Sequence, residues 1–458
     1  MLTKNYRGFK KNSSLGRELT DGAKVRNSCY TNYFKWMCVY IVIFTATTFR
    51  GLASILKTQR CCEILPVMKT ASHTSIRRWI NQVGCHKLRQ PKEKADDWAY
   101  FIDNSIRIEN RKVCLVLGAR LSTVKKGTYL TYKDVEVLAI RLIIKNSDIE
   151  SIIEEAIAKT GVPRQICSDN GSDVMPSIRK IIAKYQKVQH VPDIMHKTGN
   201  MLKKKLDGDR RWKSFITQLN KCKRRLCQSS LSFMCPPNIR GKSRFLNCQN
   251  AVEWANRALI VLEEMSETYP QRNEMKEKLG WLVKQKQAIA LFTELFGLAA
   301  TAKEIVRKLH IEKGSCQAAE ELLAEEIKSS EGKIFAQEIV DFLKGQCETT
   351  EEGVLLVGSS EIIESAFSKL KLLDRECGNS GFTSSILGLA ACFGATDYRS
   401  ISKAFEECDG KDVVTWGEKH VGETIQKKRR KALKFQKKKN FGPKLERFIK
   451  RKSVGVQG

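Results

Sequence analysis

The period of the hydrophobic pattern changes several times along the chain. Residues 1–32 show no sustained apolar spacing: Gly, Ser and Asn interrupt a polar, basic stretch, which predicts a flexible basic arm. From Tyr33 to residue 90 the spacing becomes helical. An apolar run from Met37 to Phe49 precedes Arg50–Leu56, and Ser72–Val83 places Ile76, Trp79, Ile80 and Val83 on one face behind the N-cap candidates Ser72 and Thr74. Arg77 and Arg78 fall on the outer face. The expectation for 33–90 is a helical module of helix-turn-helix type. Its connection is elaborated, because Arg60–Thr70 exceeds the roughly 3- to 4-residue turn of the simple motif. An ordinary amphipathic helix with a solvated basic face has the same pattern.

Beyond the charged linker Gln90–Asp97 the period shortens to that of strands. Trp98–Ile106 and Val113–Gly118 read as a hairpin, and a third apolar stretch spans Val135–Ile144. A helix over Asp148–Lys159, a short buried strand breaking into a loop over Pro163–Asp173, a helix over Ser177–Tyr185 and a strand at Val188–Val191 follow. The order β-β-β-α-β-α-β predicts an α/β fold with one mixed sheet flanked by helices, beginning at 98–196. Residues 197–350 read as a basic, all-helical insertion, in which Val252, Ala255, Leu259, Leu262 and Met265 share a face. The apolar Val354–Gly358 then predicts a return to the sheet, with a helix over Ser360–Lys371. On this reading 351–423 completes the sheet domain and 424–458 is a basic tail.

Charge narrows the choice of partner. The 458 residues suit two to four structural units at roughly 100–200 residues each. Their 81 Lys and Arg oppose 50 Asp and Glu, for a net charge of +31. Such an excess calls for a polyanion, nucleic acid first, although anionic membranes attract the same charge. The excess is clustered at Lys203, Lys204, Lys205, Arg210 and Arg211. A second cluster runs from Lys427 to Lys452, where 14 Lys or Arg, beginning with Lys427, Lys428, Arg429 and Arg430, meet only Glu446. The 16 cysteines show no zinc-type hooks, Cys222, Cys227 and Cys235 being too loosely spaced, so reduced thiols are expected. The longest apolar run is shorter than the roughly 20 residues that span a bilayer, so no membrane partner is expected. Together these features predict a cytoplasmic, nucleoid-associated protein.

Three acids stand where a purely structural design would avoid them. Asp103 lies inside an apolar strand, where an ionised carboxylate is costly unless a cation balances it. Asp169 ends the fourth strand, and Glu364 lies in the helix after the long insertion, with Glu361 one turn before it as the alternative. Carboxylates so arranged can hold two Mg²⁺ ions, or Mn²⁺, for phosphodiester chemistry. Asp169-Asn170-Gly171 on its own is a common turn, and a helical Glu is usually solvated. Asp193 and His196, after the fifth strand, are expected to be structural rather than metal ligands.

Strand-embedded Asp103, the Ser168–Asp173 loop and the Ser360–Ser365 helix resemble the catalytic blocks of bacterial insertion-sequence transposases of the DDE type. The resemblance runs from Trp98 to Glu376. It implies an RNase H-like core interrupted by a helical insertion, with Asp103, Asp169 and Glu364 as catalytic metal ligands. It further implies Mg²⁺-dependent cleavage and strand transfer of double-stranded DNA at transposon ends, by a dimer. Lys371, seven positions after Glu364, matches a DNA-contacting Lys of some members. Their Tyr and Arg upstream of the Glu are replaced by Val357 and Ser360. The alternatives are a transposase-derived DNA-binding protein without catalysis and a structure-specific nuclease. The former would be expected to lose metal ligands, and the latter needs neither the N-terminal module nor the large insertion.

Overall fold

The structure, a computed structural model, describes residues 24, 28–61, 70–108, 111–239, 248–374 and 383–433. These divide into two compact units: one comprises 1–90, 106–111 and 367–458, the other 91–105 and 112–366.

In chain order the N-terminal helices are α1 (Asn32–Phe44), α2 (Phe49–Cys61) and α3 (His73–Arg89). The strands and their helices follow as β1 (Trp98–Ile108), β2 (Arg111–Arg120), β3 (Glu136–Ile143), α4 (Asp148–Thr160), β4 (Gln165–Ser168), α5 (Met175–Lys184) and β5 (Gln189–Pro192). The insertion contains α6 (Ile194–Leu206), α7 (Arg210–Leu226), α8 (Gln249–Glu264), α9 (Arg272–Leu279), α10 (Lys286–Leu309), α11 (Ser315–Glu326) and α12 (Ser330–Glu348). The last helices are α13 (Glu361–Asp374), α14 (Tyr398–Glu407), α15 (Gly410–His420) and α16 (Ile425–Ala432).

In the second unit five strands form one mixed sheet in the order β3-β2-β1-β4-β5. β2 and β3 are antiparallel, whereas β1, β4 and β5 run parallel. The element order and the mixed sheet expected from the sequence are therefore present, in an α/β architecture flanked by helices. Trp98, Tyr100 and Ile102 on one face of β1 pack with Ile149, Ile153 and Ala156 of α4 and Ile178 and Ile181 of α5 in an apolar core. Period-2 alternation then directs Asp103 to the opposite face.

The expected final strand is a correction. Val354–Gly358 does not join the sheet: Leu356 makes a single antiparallel bridge to Ile311 at the end of α10. Val357 meets β4 through a side chain, its N–H donating to Gln165 Oε1 at 2.7 Å and its carbonyl accepting from Gln165 Nε2 at 2.8 Å. The amide of Gln165 satisfies the backbone groups that a sixth strand would have paired. Within the insertion α10 is the central helix, packing on α6, α8, α11 and α12. Trp212 and Phe215 of α7 interlock with Phe292 at centroid distances of 5.0 and 5.6 Å.

The first unit departs further from expectation. Ser72 caps α3, its hydroxyl accepting from the Ser75 N–H at 3.1 Å. Ten of the 17 residues of α3 are buried, against α1, α2, α14, α15 and the helical turn Leu387–Ala390. A Cβ on Gly84 would lie 1.9 Å from the Leu387 carbonyl oxygen. Buried Lys87 donates to the carbonyls of Ala391, at 3.0 Å, and Phe393. Residues 33–90 are thus the inner part of a helical unit completed by 383–421, and those C-terminal helices do not extend the sheet domain. The reason is packing: the buried surface of α3 extends beyond its apolar face to Asn81, Gly84, His86 and Lys87 and needs covering on several sides.

Candidate active site

The carboxylate face of the second unit is built from β1, the β4–α5 loop, the start of α6 and the first turns of α13. Asp103 is the sixth residue of β1. Its Oδ1 accepts from the Asn104 N–H at 2.6 Å. Burial, then the charge of Asp169 and, more weakly, that of Glu364 push its pKa up to about 7, against the opposing influence of the Asn104 N–H and His196. Desolvation and like charge are acting together, so the carboxylate lacks a sufficient counter-cation. Asp169 and Glu364 therefore both lie within electrostatic reach of Asp103.

Asp169 follows β4 directly, and its Oδ1 accepts from the Gly171 N–H at 2.7 Å. Between them Asn170 takes the left-handed conformation, φ +60°, which Asn tolerates better than most side chains. Gly171 is needed for a different reason: a Cβ there would meet the carboxylate oxygens of Asp173 and Asp169 at 2.7 and 2.9 Å. Burial opposes ionisation of Asp173, yet the Lys112 ammonium at 2.7 Å holds its pKa below the usual range. Asn104 Nδ2 also reaches Asp173, at 3.4 Å. This Lys112–Asp173–Asn104 network, which braces the loop behind Asp169, carried no recognisable sequence signal beyond the Asp173 of the motif.

Glu364 and Glu361 have different partners. Glu364 Oε1 lies 2.8 Å from His196 Nε2. That hydrogen bond is the main cause raising the His196 pKa to about 9, with Asp193, Glu364 and Asp169 adding attraction. Glu361 instead faces Arg307 Nε at 2.9 Å and Lys303 Nζ at 3.8 Å. Of the two, Glu364 is the acid electrostatically joined to Asp103. Asp193 is 1% exposed, and it caps α6 through the His196 N–H at 2.8 Å. Its other oxygen accepts from the Ser360 N–H and hydroxyl at 2.6 and 2.9 Å, which fixes the start of α13 beside α6. His196, expected to share that structural role, is in direct contact with Glu364.

Among the described residues, no three His, Cys, Asp or Glu side chains already converge as a metal shell. The donor set still fits a hard divalent ion. Mg²⁺ retains several waters and binds through one or two carboxylates, and an acid as short of positive charge as Asp103 is the group such an ion would relieve. No protein-family model matches the chain, and no curated protein matches it in sequence.

The basic positions are dispersed. On α3, Arg77 is half-buried and Arg78 exposed. Lys203, Lys204 and Arg210 are exposed on α6 and α7, and Lys205 is half-buried. Arg211 is exposed but pairs with Asp209 and Glu331 at 2.7 and 2.9 Å, so much of its charge is balanced internally. Lys371 is exposed on α13, two turns after Glu364. Lys427, Lys428, Arg429 and Arg430 are exposed on α16, and the remainder of the basic tail lies outside the described residues. Cys227 and Cys235, read as too loosely spaced for a site, have sulfurs 3.5 Å apart, while Cys222 is buried. Among the described residues, no helix is long and apolar enough to cross a membrane.

Proposed function

We propose that the chain is a DNA transposase of the DDE, RNase H-like kind, with Asp103, Asp169 and Glu364 as its catalytic carboxylates. The observation that carries this reading is the state of Asp103: a strand carboxylate, half-buried and repelled by Asp169 and Glu364, with a pKa raised to about 7. A structural acid would be neutralised by a neighbouring cation, as Asp173 is by Lys112. Clusters of carboxylates lacking such a partner are characteristic of functional sites.

Asp103 and Asp169 would hold Mg²⁺ together, and Glu364 would complete the set once released from His196. The bound ions would supply Lewis-acid activation of the attacking oxygen and stabilisation of the leaving one. The chain's own residues do the rest. Asn170 and Gly171 let Asp169 approach closely, and Asp193 sets the start of the helix bearing Glu364. His196, protonated at neutral pH, orients Glu364. Dispersed Lys and Arg bind phosphates without reading sequence, so binding and chemistry rest on separate residues. The proposed partners are double-stranded DNA and a second copy of the chain.

The test is nicking of a labelled duplex in Mg²⁺ and Mn²⁺. Asp103→Asn, Asp169→Asn and Glu364→Gln are expected to reduce cleavage at least a hundredfold with DNA retention unchanged. Glu361→Gln is expected to keep most of the activity. Wild-type cleavage by Asp103→Asn would replace this reading with that of a non-catalytic DNA-binding protein.

A further inference from the structure

The end of α7 carries a pair of thiols that the proposed chemistry leaves unused. Cys227 follows the last turn of the helix, its N–H donating to the Lys223 carbonyl at 3.0 Å. After seven intervening residues Cys235 returns to the same turn. Its thiol donates to the Cys227 sulfur at 3.5 Å and lies 4.0 Å from the Lys223 carbonyl oxygen. Cys227 is exposed and Cys235 half-buried, so both can be reached from solvent. Cys222, by contrast, is 2% exposed and shares the buried face of α7 with Phe215 and Leu219. Two sulfurs fall short of the four ligands of structural zinc, and among the described residues no third His, Cys, Asp or Glu joins them.

The connection itself brings the two sulfurs together. The Ser229 N–H donates to the Leu226 carbonyl at 3.0 Å, the Ser232 N–H to the Ser229 carbonyl at 3.1 Å and the Cys235 N–H to the Ser232 carbonyl at 3.2 Å, which winds the segment back onto the helix. Leu231 is fully buried. Lys223 Nζ donates to the Pro236 carbonyl at 3.1 Å, and Trp254 Nε1 of α8 donates to the Met234 carbonyl at 3.1 Å. Anchors on both sides therefore fix where Cys235 sits. A disulfide bond is roughly 2.05 Å long, so sulfurs already in contact need only side-chain rotation to close it.

We propose that Cys227 and Cys235 are a redox-active pair, which a low-molecular-weight disulfide converts from a hydrogen-bonded dithiol to a disulfide that locks the α7–α8 connection. Cys227, the more exposed sulfur, attacks as its thiolate: a bond forms to one sulfur of the reagent, the reagent's own S–S bond breaks, and the first thiol leaves with the Cys227 proton. Cys235, as thiolate, then attacks Cys227 Sγ and expels the second thiol, which takes the Cys235 proton. Two protein thiols are oxidised and one external disulfide is reduced. Phe233, 65% exposed, together with Met234 and Pro237 faces Trp254 and Val261 of α8 across a groove of about 460 Å³. Oxidation fixes one wall of that groove.

The test uses the full chain in EDTA, equilibrated with mixtures of reduced and oxidised glutathione, quenched with acid, alkylated with N-ethylmaleimide and digested with trypsin. Both thiols fall in one peptide, Leu226–Arg240. In oxidising mixtures it should appear unalkylated and two hydrogens lighter, and dithiothreitol should restore two alkylated cysteines. Because the proximity comes from the fold, the native chain should favour the disulfide at least about tenfold more than the chain in guanidinium does, and by linkage the oxidised chain should resist denaturation more strongly. Chymotrypsin should cut after Phe233 at least about tenfold more slowly in oxidised than in reduced protein, since cutting needs local opening. Cys227→Ser, at an exposed position, should be cut equally fast in both mixtures. Glutathione held on Cys227 without ring closure, a native preference no greater than the unfolded one, or equal cutting of oxidised and reduced wild type would overturn the proposal.

Discussion

At the scale of single residues the second unit places charge where it is least comfortable. An acid whose pKa in the folded chain is raised binds its proton more tightly there than when unfolded. Stability therefore falls as pH rises from the unfolded value of roughly 3.9 through the folded one. For Asp103 that window closes at about 7. In EDTA at pH 8, Asp103→Asn should accordingly melt a few degrees higher than wild type, since it removes a repelled charge while keeping shape. Mg²⁺ should raise the wild-type melting temperature and leave Asp103→Asn nearly unmoved; thermal scans with and without the ion check both. A wild type indifferent to Mg²⁺ would show that the carboxylates do not share an ion. His196 has the same sign: its raised pKa makes its pairing with Glu364 a contribution that is fully present below the unfolded value of roughly 6.5 and is lost as pH rises through about 9.

At the scale of elements, α3 and α13 show how much one helix can be asked to do. The apolar face of α3 was evident in Ile76, Trp79, Ile80 and Val83, yet its burial extends to Asn81, Gly84, His86 and Lys87. Gly84 makes this possible by letting the backbone at Leu387 approach. Gly84→Ala should destabilise the first unit by about 1–3 kcal/mol, the usual cost of overpacking, because the obstructing atom is a backbone carbonyl that cannot rotate away. Chemical denaturation checks this, and a neutral outcome would mean that the Leu387–Ala390 turn can shift. On α13, positions one turn apart are divided between two roles, Glu361 with Arg307 and Glu364 with His196. Helical spacing placed both acids on one side but could not distinguish their partners, which come from α10 and α6.

At the scale of the whole molecule the net charge of +31 governs encounter with a polyanion. Residues 434–458 carry nine Lys or Arg, at 434, 437, 438, 439, 444, 447, 450, 451 and 452. Deleting them should weaken binding to all DNA sequences alike and flatten the dependence of log K on log salt, by about 0.9 for each phosphate that the tail would otherwise neutralise. Filter binding across a salt series measures this. A changed sequence preference at constant slope would assign the tail a reading role instead. Arg77→Ala with Arg78→Ala should change affinity modestly, since α3 is largely buried and cannot lie in a groove along its length.

The sequence by itself determined the elements and their order through Pro192, because strand and helix periods are local properties of neighbouring residues. It also selected Asp103, Asp169 and Glu364, since an acid inside an apolar run is conspicuous without any knowledge of what surrounds it. Only the tertiary structure decided which residues distant in the chain meet. Gln165 satisfies the backbone of Val357 where a sixth strand was expected, the C-terminal helices cover α3, and His196 reaches Glu364. Each depends on which surfaces meet after the chain has folded back on itself, and a hydropathy pattern records that a side will be covered without recording by what.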